Sequence, residues 1–488
     1  MTLHAVTPST ETPHRTPAER ANDELRSTLQ RLRDGQRARG LVSAETRIAW
    51  LDKLERALLR RKEDIVRAIA QDFGCRSRVE SQVAELVVPI EGIRYTRAHV
   101  REWMAPRKAA VSWLFQPGRA EVIPQPLGVI GIIAPWNYPV NLVVSPLADA
   151  LAAGNGAYIK PSELTPATSE LLRQLITETF DPDHVAVAIG GAELSEAFSR
   201  LPFDHLLFTG STRVGRAVMR AAAENLVPVT LELGGKSPVI VSRDAPIATA
   251  ATRVMSGKLF NAGQTCIAPD YVLVPAEKRD AFVEAAQRAV AELYPTVMAN
   301  GDYTSIVNDR HLARVQSYVD DARTRGARVI EVNPGGEAKD ASARKLFPTL
   351  VLDATDDMVV MQDEIFGPVL PVCTYNTVDE AIAYVNNHPR PLALYYFGND
   401  KGETQRVLQE TVSGGVTVND TMVHFAQHDM PFGGVGPAGM GAYHGQTGFD
   451  AMSKLKPVFH QATVNGMGLM RPPFGRMMDV VLKLLLND

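Results

Sequence analysis

Two successive α/β units, each built on a parallel sheet with helices on its faces, are the architecture this chain predicts. Short, apolar, β-rich runs recur through its middle, and segments with helical spacing lie between several of them. Strands buried on both faces read as near-continuous apolar runs, and their alternation with helices marks a parallel sheet. The 488 residues suffice for about three domains and a large core.

Composition narrows the function classes. With 51 basic and 55 acidic residues the net charge is -4, which argues against nucleic acid or an anionic membrane and favours a small-molecule partner. Cys75, Cys266 and Cys373 are far apart, odd in number and without pairing or metal-ligand spacing. That is the cysteine usage of a reducing compartment. Cys75 and Cys373 have no chemical neighbourhood and read as packing or surface thiols.

Residues 1–20 carry Thr, Pro and charge without the apolar core of a secretory signal, and are expected to form a disordered arm. From about 21 to 105 the pattern is helical. Ile48, Leu51, Leu54, Leu58 and Ile65 stand at three- and four-residue steps or their multiples, Gly74 makes a stop, and the charges between them read as a solvated face. VSWLF and RAEVIPQP, within 109–126, read as extended pieces interrupted by Pro117 and Gly118.

The first α/β series follows. GVIGIIAP, AYIKP, VAVAIG, HLLFTG and VTLEL are its strands, with helices such as SELLRQLITETF and STRVGRAVMRAAAENL between them. This is the pattern of a Rossmann-like cofactor domain. After Gly235 a second series begins with SPVIVS, a helix over 246–258 with Pro246 in its first position, YVLVP and a helix over 277–293. It continues through TLVLDA, VLPVCTY, DEAIAYVNN, LALYYFGN and GVTVND, and PFGGVGPAGMGAYHG (431–445) closes it as an ordered turn system. The tail over 477–486 is apolar but short and broken by Asp479 and Lys483, which suits a docking helix, a partner contact or surface attachment rather than a membrane span.

Four segments carry chemistry. FNAGQTCIAPD (260–270) places Cys266 on a turn among small and polar neighbours, where it is either a nucleophile or a small buried hydrophobe. VTLELGGKSP ends an apolar strand on Glu232, a carboxylate facing a double glycine and suited to general base work. IIAPWNYP offers the Asn137 amide, and DEIFGPVLPV offers Glu364 and Phe366 before a Gly-Pro turn. FTGSTRVG, with Gly210, Ser211 and Gly215, is a strand-turn-helix that departs from the dinucleotide fingerprint but leaves N–H groups free at a helix start.

Taken along the chain, the segments of Asn137, Glu232, Cys266 and Glu364 have the order and spacing of the aldehyde dehydrogenase superfamily, which the chain resembles from about residue 20 to 459. GVGPAGMGAYHG with the RPPFG tail looks like the class 3 branch, closest to coniferyl aldehyde dehydrogenases. The resemblance implies an NAD-binding domain over 21–107 and 128–233 and a catalytic domain over 234–450. It implies a small β oligomerisation hairpin and C-terminal tail over 108–127 and 451–488. Cys266 would be the nucleophile, Asn137 with the Cys266 N–H the oxyanion donors, and Glu232 the base that hydrolyses a thioester. Trp136, Lys160, Glu163, Gly210, Ser211, Gly215, Leu233, Gly234, Glu364 and Phe366 would hold NAD. An acid at Glu163 disfavours the 2′-phosphate of NADP, which stays possible.

Tyr138, Val423, Phe425 and Phe432 would line the pocket for a medium-chain or aromatic aldehyde, while His428 and His444 read as structural. A cytoplasmic homodimer without metal, nucleic acid or membrane span completes the expectation. A coenzyme A-acylating dehydrogenase has no need of Glu232, a non-catalytic protein keeping the fold would be expected to lose one of the three central residues, and an esterase would need only the thiol.

Overall fold

Which face each strand residue takes decides how the sheets stack. The computed structural model describes residues 16–486. Its strands are β1 (Arg107–Ala109), β2 (Arg119–Pro126), β3 (Val129–Ile133), β4 (Gly156–Lys160), β5 (Val185–Val187), β6 (His205–Thr209) and β7 (Val229–Glu232). Then come β8 (Pro238–Val241), β9 (Tyr271–Pro275), β10 (Arg328–Glu331), β11 (Thr349–Leu352), β12 (Val369–Tyr375), β13 (Ala393–Phe397), β14 (Gly415–Val418), β15 (Gly439–Met440) and β16 (Ser453–His460).

They form a six-stranded sheet in the order β15-β7-β6-β3-β4-β5 and a seven-stranded sheet in the order β10-β11-β12-β9-β8-β13-β14. Both are parallel except for the outermost β15 and β10. Alternate residues face opposite ways along a strand. Ile130 and Ile132 of β3, Val239 and Val241 of β8, and Val272 and Val274 of β9 therefore meet in one core shared by the two sheets. Val129 and Ile133 pack on the far side of the first sheet, and Ile240 and Leu273 on the far side of the second. A shared core leaves the two sheets no freedom to slide without breaking close packing.

The third sheet, β1-β2-β16, is antiparallel, and β16 pairs with β2 over its whole length from Ser453↔Pro126 to His460↔Arg119. Its sequence, SKLKPVFH, has no apolar alternation because most of its residues face solvent. That is why sequence reading missed it. The fully buried helix Asn141–Ala153, the helices Asp309–Thr324 and Lys401–Glu410, and the short β10 and β15 were missed as well.

Three expectations need correction. Residues 17–20 are not part of an arm: Thr16 caps the helix Pro17–Arg39 through a reciprocal bond with Glu19, and Pro17 sits in its first turn. Residues 1–15 lie outside the described residues. VSWLF is not extended but contains the 3₁₀ turn Trp113–Phe115 with Trp113 exposed, and the strand lies before it at Arg107–Ala109. Pro246 caps the helix Ile247–Leu259 from outside, since its ψ of 101° is extended. The tail forms the helix Arg476–Leu486, none of whose residues is buried, and among the described residues no helix is long and apolar enough to cross a membrane.

Candidate active site

The site lies along the C-terminal ends of the parallel strands in the six-stranded sheet, where open α/β sheets bind ligands. Trp136 and Asn137 follow β3, Lys160 ends β4, Gly210 and Ser211 follow β6, and Glu232 ends β7. Cys266 is carried to this edge by a loop from the second sheet, between the helix Ile247–Leu259 and β9.

That loop is strained. Asn261, Ala262 and Gly263 take φ of 52°, 52° and 75° in succession, and left-handed backbone is costly for any side chain. Buried hydrogen bonds hold it. The Gln264 amide donates to the carbonyls of Asn261 and Ser305, both at 3.0 Å, and accepts from the Val307 N–H at 3.0 Å. The Asn261 N–H donates to Glu80 Oε2 at 2.9 Å, and the Tyr395 hydroxyl donates to the Ile267 carbonyl. A β-carbon at Gly263 would collide with the Gly367 carbonyl. The strain thus persists because the surroundings over-determine the loop, and it presents Cys266 partly exposed at the sheet edge.

Burial, with the Glu364 and Glu232 carboxyls nearby, pushes the Cys266 thiol up to about 12, against the pull of the Cys266 and Ile267 N–H groups. Glu232 is buried, neither of its oxygens has a partner, and its carboxyl lies well above the usual carboxylate range. Burial also lifts Glu364 to about 8, and its Oε1 is unpartnered. Asn137 donates from Nδ2 to the Gln264 carbonyl at 3.1 Å while its Oδ1 has no partner. A buried polar group left unpaired is expensive, so such a cluster beside a thiol marks a place built for something else to fill.

Several of the expected cofactor residues meet in pairs. A β-carbon at Gly234 would overlap the Glu364 carboxylate, and the Gly235 N–H supports that carboxylate. Trp136 lies edge-on to Phe366 at 5.4 Å and to His311 at 5.0 Å. Lys160 Nζ is 3.5 Å from Glu163 and donates to the Pro161 carbonyl at 2.7 Å. Ser211 caps the helix Thr212–Ala223, and a β-carbon at Gly215 would meet Leu233 Cδ2 at 2.6 Å. The small residue lets the helix close on the strand and leaves its first N–H groups facing the edge. The unpartnered Glu364 oxygen and the Lys160–Glu163 pair suit the hydroxyls of two riboses. A dinucleotide therefore fits these residues.

The family model described as the aldehyde dehydrogenase family matches residues 1–458. The chain belongs to the aldehyde dehydrogenase family. It is 55% identical over 458 residues to a "Probable coniferyl aldehyde dehydrogenase" of Caulobacter vibrioides, covering 92% of this chain and 94% of that protein. It is 48% identical over 467 residues to the coniferyl aldehyde dehydrogenase of a Pseudomonas species, covering 95% and 97%. Among solved structures, the substrate-bound state of Staphylococcus aureus AldH superposes with a TM-score of 0.88 at 38% identity, covering 94% of this chain and 99% of that one. Oxidation of an aldehyde with a nicotinamide cofactor is the reaction of this aldehyde dehydrogenase.

The expected pocket residues of this aldehyde dehydrogenase are only partly together. Tyr138 is buried with Ala84 and Leu142 against Phe260 and Phe425, and its hydroxyl bonds Thr265 Oγ1 at 2.6 Å. Phe432 packs behind Phe425 at 4.8 Å within the main core, and Val423 is 49% exposed. His444 stacks on Phe432, buried and held well below the usual imidazole range by desolvation. Sequence reading missed Arg76, Glu80 and Glu85, which reach the site from the helical N-terminal part. They lie beyond Gly74 in a stretch read only as helical, where nothing in the spacing separates a buried charge from an exposed one.

Gly263→Ala is expected to cost on the order of 2 kcal/mol or more, read as a lowered unfolding midpoint, and an unchanged midpoint would mean the loop relaxes freely. In the cofactor-free enzyme, alkylation of Cys266 by iodoacetamide should rise with pH and reach no plateau below about pH 10. A plateau near neutrality would contradict the burial argument.

Proposed function

We propose that this enzyme oxidises aromatic or medium-chain aldehydes, coniferaldehyde foremost, to the carboxylic acids with NAD, through a thioester on Cys266. The observation that carries it is the placing of Cys266 beside the Glu232 carboxyl, which has no partner, on the loop whose Gln264 carbonyl accepts from the Asn137 amide. The named relatives supply the substrate class.

Each residue then has one task. Cys266 gives its proton to solvent, and the thiolate adds to the aldehyde carbon, so that its charge passes to the former carbonyl oxygen. Asn137 Nδ2 leaves the Gln264 carbonyl to donate to that oxyanion together with the Cys266 N–H. One such donor is worth about 10²- to 10³-fold in rate. Nicotinamide, when bound, accepts the hydride. What remains is an acyl group on sulfur, and Glu232 takes a proton from the water that attacks it, after which the thiolate leaves. Because Glu232 is held neutral by burial and acts as base only when ionised, deacylation should quicken as pH rises.

Glu364 and Phe366 would hold the nicotinamide ribose, and Lys160 with Glu163 the adenosine ribose, where the acid favours NAD over NADP. We assign 21–107 and 128–233 to cofactor binding, 234–450 to catalysis, and the β1-β2-β16 sheet with the tail to a homodimer contact. The exposed Met477, Val480 and Leu484 on the terminal helix suit such a contact. The composition suits the cytoplasm.

Cys266→Ala should abolish turnover while NAD still binds by calorimetry; retained dehydrogenase activity would exclude this mechanism. Glu232→Gln should release one equivalent of reduced nicotinamide and then stall, its steady state at least about 10²-fold slower. A wild-type steady state would remove Glu232 from the role of base. Assayed against coniferaldehyde, benzaldehyde and hexanal with NAD or NADP, the enzyme should turn over the aromatic aldehydes fastest with NAD. Equal rates for all three would remove the aromatic preference.

A further inference from the structure

We propose that Arg76, paired with Glu85, is a positioning residue for the oxyanion donor and the pocket tyrosine, acting through the backbone of the loop 137–141. The proposal rests on the reading of Asn137 given above. Arg76 lies between the helix Lys62–Phe73 and the short helix Arg78–Gln82, and neither its side chain nor that of Glu85 has any exposed surface. The two form an ion pair at 3.4 Å.

Each partner grips a different end of the loop. Arg76 Nη1 donates to the Asn137 carbonyl at 2.7 Å, while Glu85 Oε2 accepts from the Val140 and Asn141 N–H groups at 3.0 and 2.9 Å. Glu85 thereby satisfies N–H groups at the start of the buried helix Asn141–Ala153. The guanidinium lies 5.0 Å from the centre of the Tyr138 ring on one side and 4.8 Å from that of Phe73 on the other. Within five residues, one ion pair sets the peptide plane that aims the Asn137 amide and the ring that lines the pocket. Glu85 also occupies the single π turn Val83–Val87, a widening that interrupts the helix where the carboxylate meets the loop.

Stability alone is a poor account of this pair. A buried ion pair contributes little net stability, because desolvation offsets its attraction. Moreover Arg76 Nε and Nη2 have no partner at all. What the pair supplies is orientation, and misplacing a catalytic group by about 1 Å can cost about 10²-fold in rate.

The test is single-turnover formation of reduced nicotinamide from coniferaldehyde and NAD, with NAD affinity measured alongside. Arg76→Met should lower the acylation rate by about 10- to 100-fold and leave NAD affinity unchanged. Arg76→Lys should recover part of the rate. Should Arg76→Met fail to fold, the charge-free pair Arg76→Met with Glu85→Gln removes the orphaned carboxylate and carries the same readout. In an Asn137→Ala background the Arg76 changes should cost much less, only what misplacing the Tyr138 ring adds, since the shared donor is already gone. Equal losses in both backgrounds would overturn the proposal, as would a normal acylation rate in any folded enzyme lacking the Arg76 guanidinium. If Asn137→Ala slows acylation and loss of Arg76 does not, only the role of Arg76 falls; if Asn137→Ala acylates at full rate, the oxyanion reading falls with it.

Discussion

Acids buried without partners are the constraint on which this site depends. Glu232 has no hydrogen bond to either oxygen, Glu364 has one free oxygen, and the Cys266 thiol lies among them in a space that favours every neutral form. In water these groups would ionise near their ordinary values and offer little to a passing aldehyde. Away from water they favour their neutral forms, and a low-dielectric site of this kind is where preorganised dipoles are worth most.

Keeping such groups in place requires a rigid frame. The shared core between the two large sheets supplies it: the inward faces of β3, β8 and β9 interlock, so the strand ends that carry Asn137, Lys160 and Glu232 are fixed against the loop that carries Cys266. The loop from Asn261 to Gly263 takes three left-handed residues in succession, and the Gln264 amide holds it with both N–H groups and its oxygen. The buried Arg76–Glu85 pair holds the loop of Asn137 as Gln264 holds the loop of Cys266. Both are polar devices inside a core, and both specify geometry rather than stability.

Much of the candidate site was legible in the chain because the context of its residues is local. Cys266 among small neighbours, Glu232 at a strand end before two glycines, and Glu364 before a Gly-Pro turn carry their context within about ten residues. The internal strands were equally readable, since burial on both faces leaves a continuous apolar run. Where burial is one-sided or pairing does the work, the signal faded: β16 carries Lys and Pro on a solvated face and is a strand because β2 pairs with it.

Sequence by itself determined the two α/β series and membership in a family, and it singled out Cys266 and Glu232 as candidates, because each rests on residues adjacent in the chain. Tertiary structure decided which charges are buried. Arg76, Glu80 and Glu85 sit in the stretch read only as helical, and these three turn inward to the loops of Asn137 and Cys266. Whether a charge meets water or protein depends on what folds over it from more than 50 residues away, as Asn137 and Asn141 do over Arg76 and Glu85. Helical spacing carries no trace of that distance.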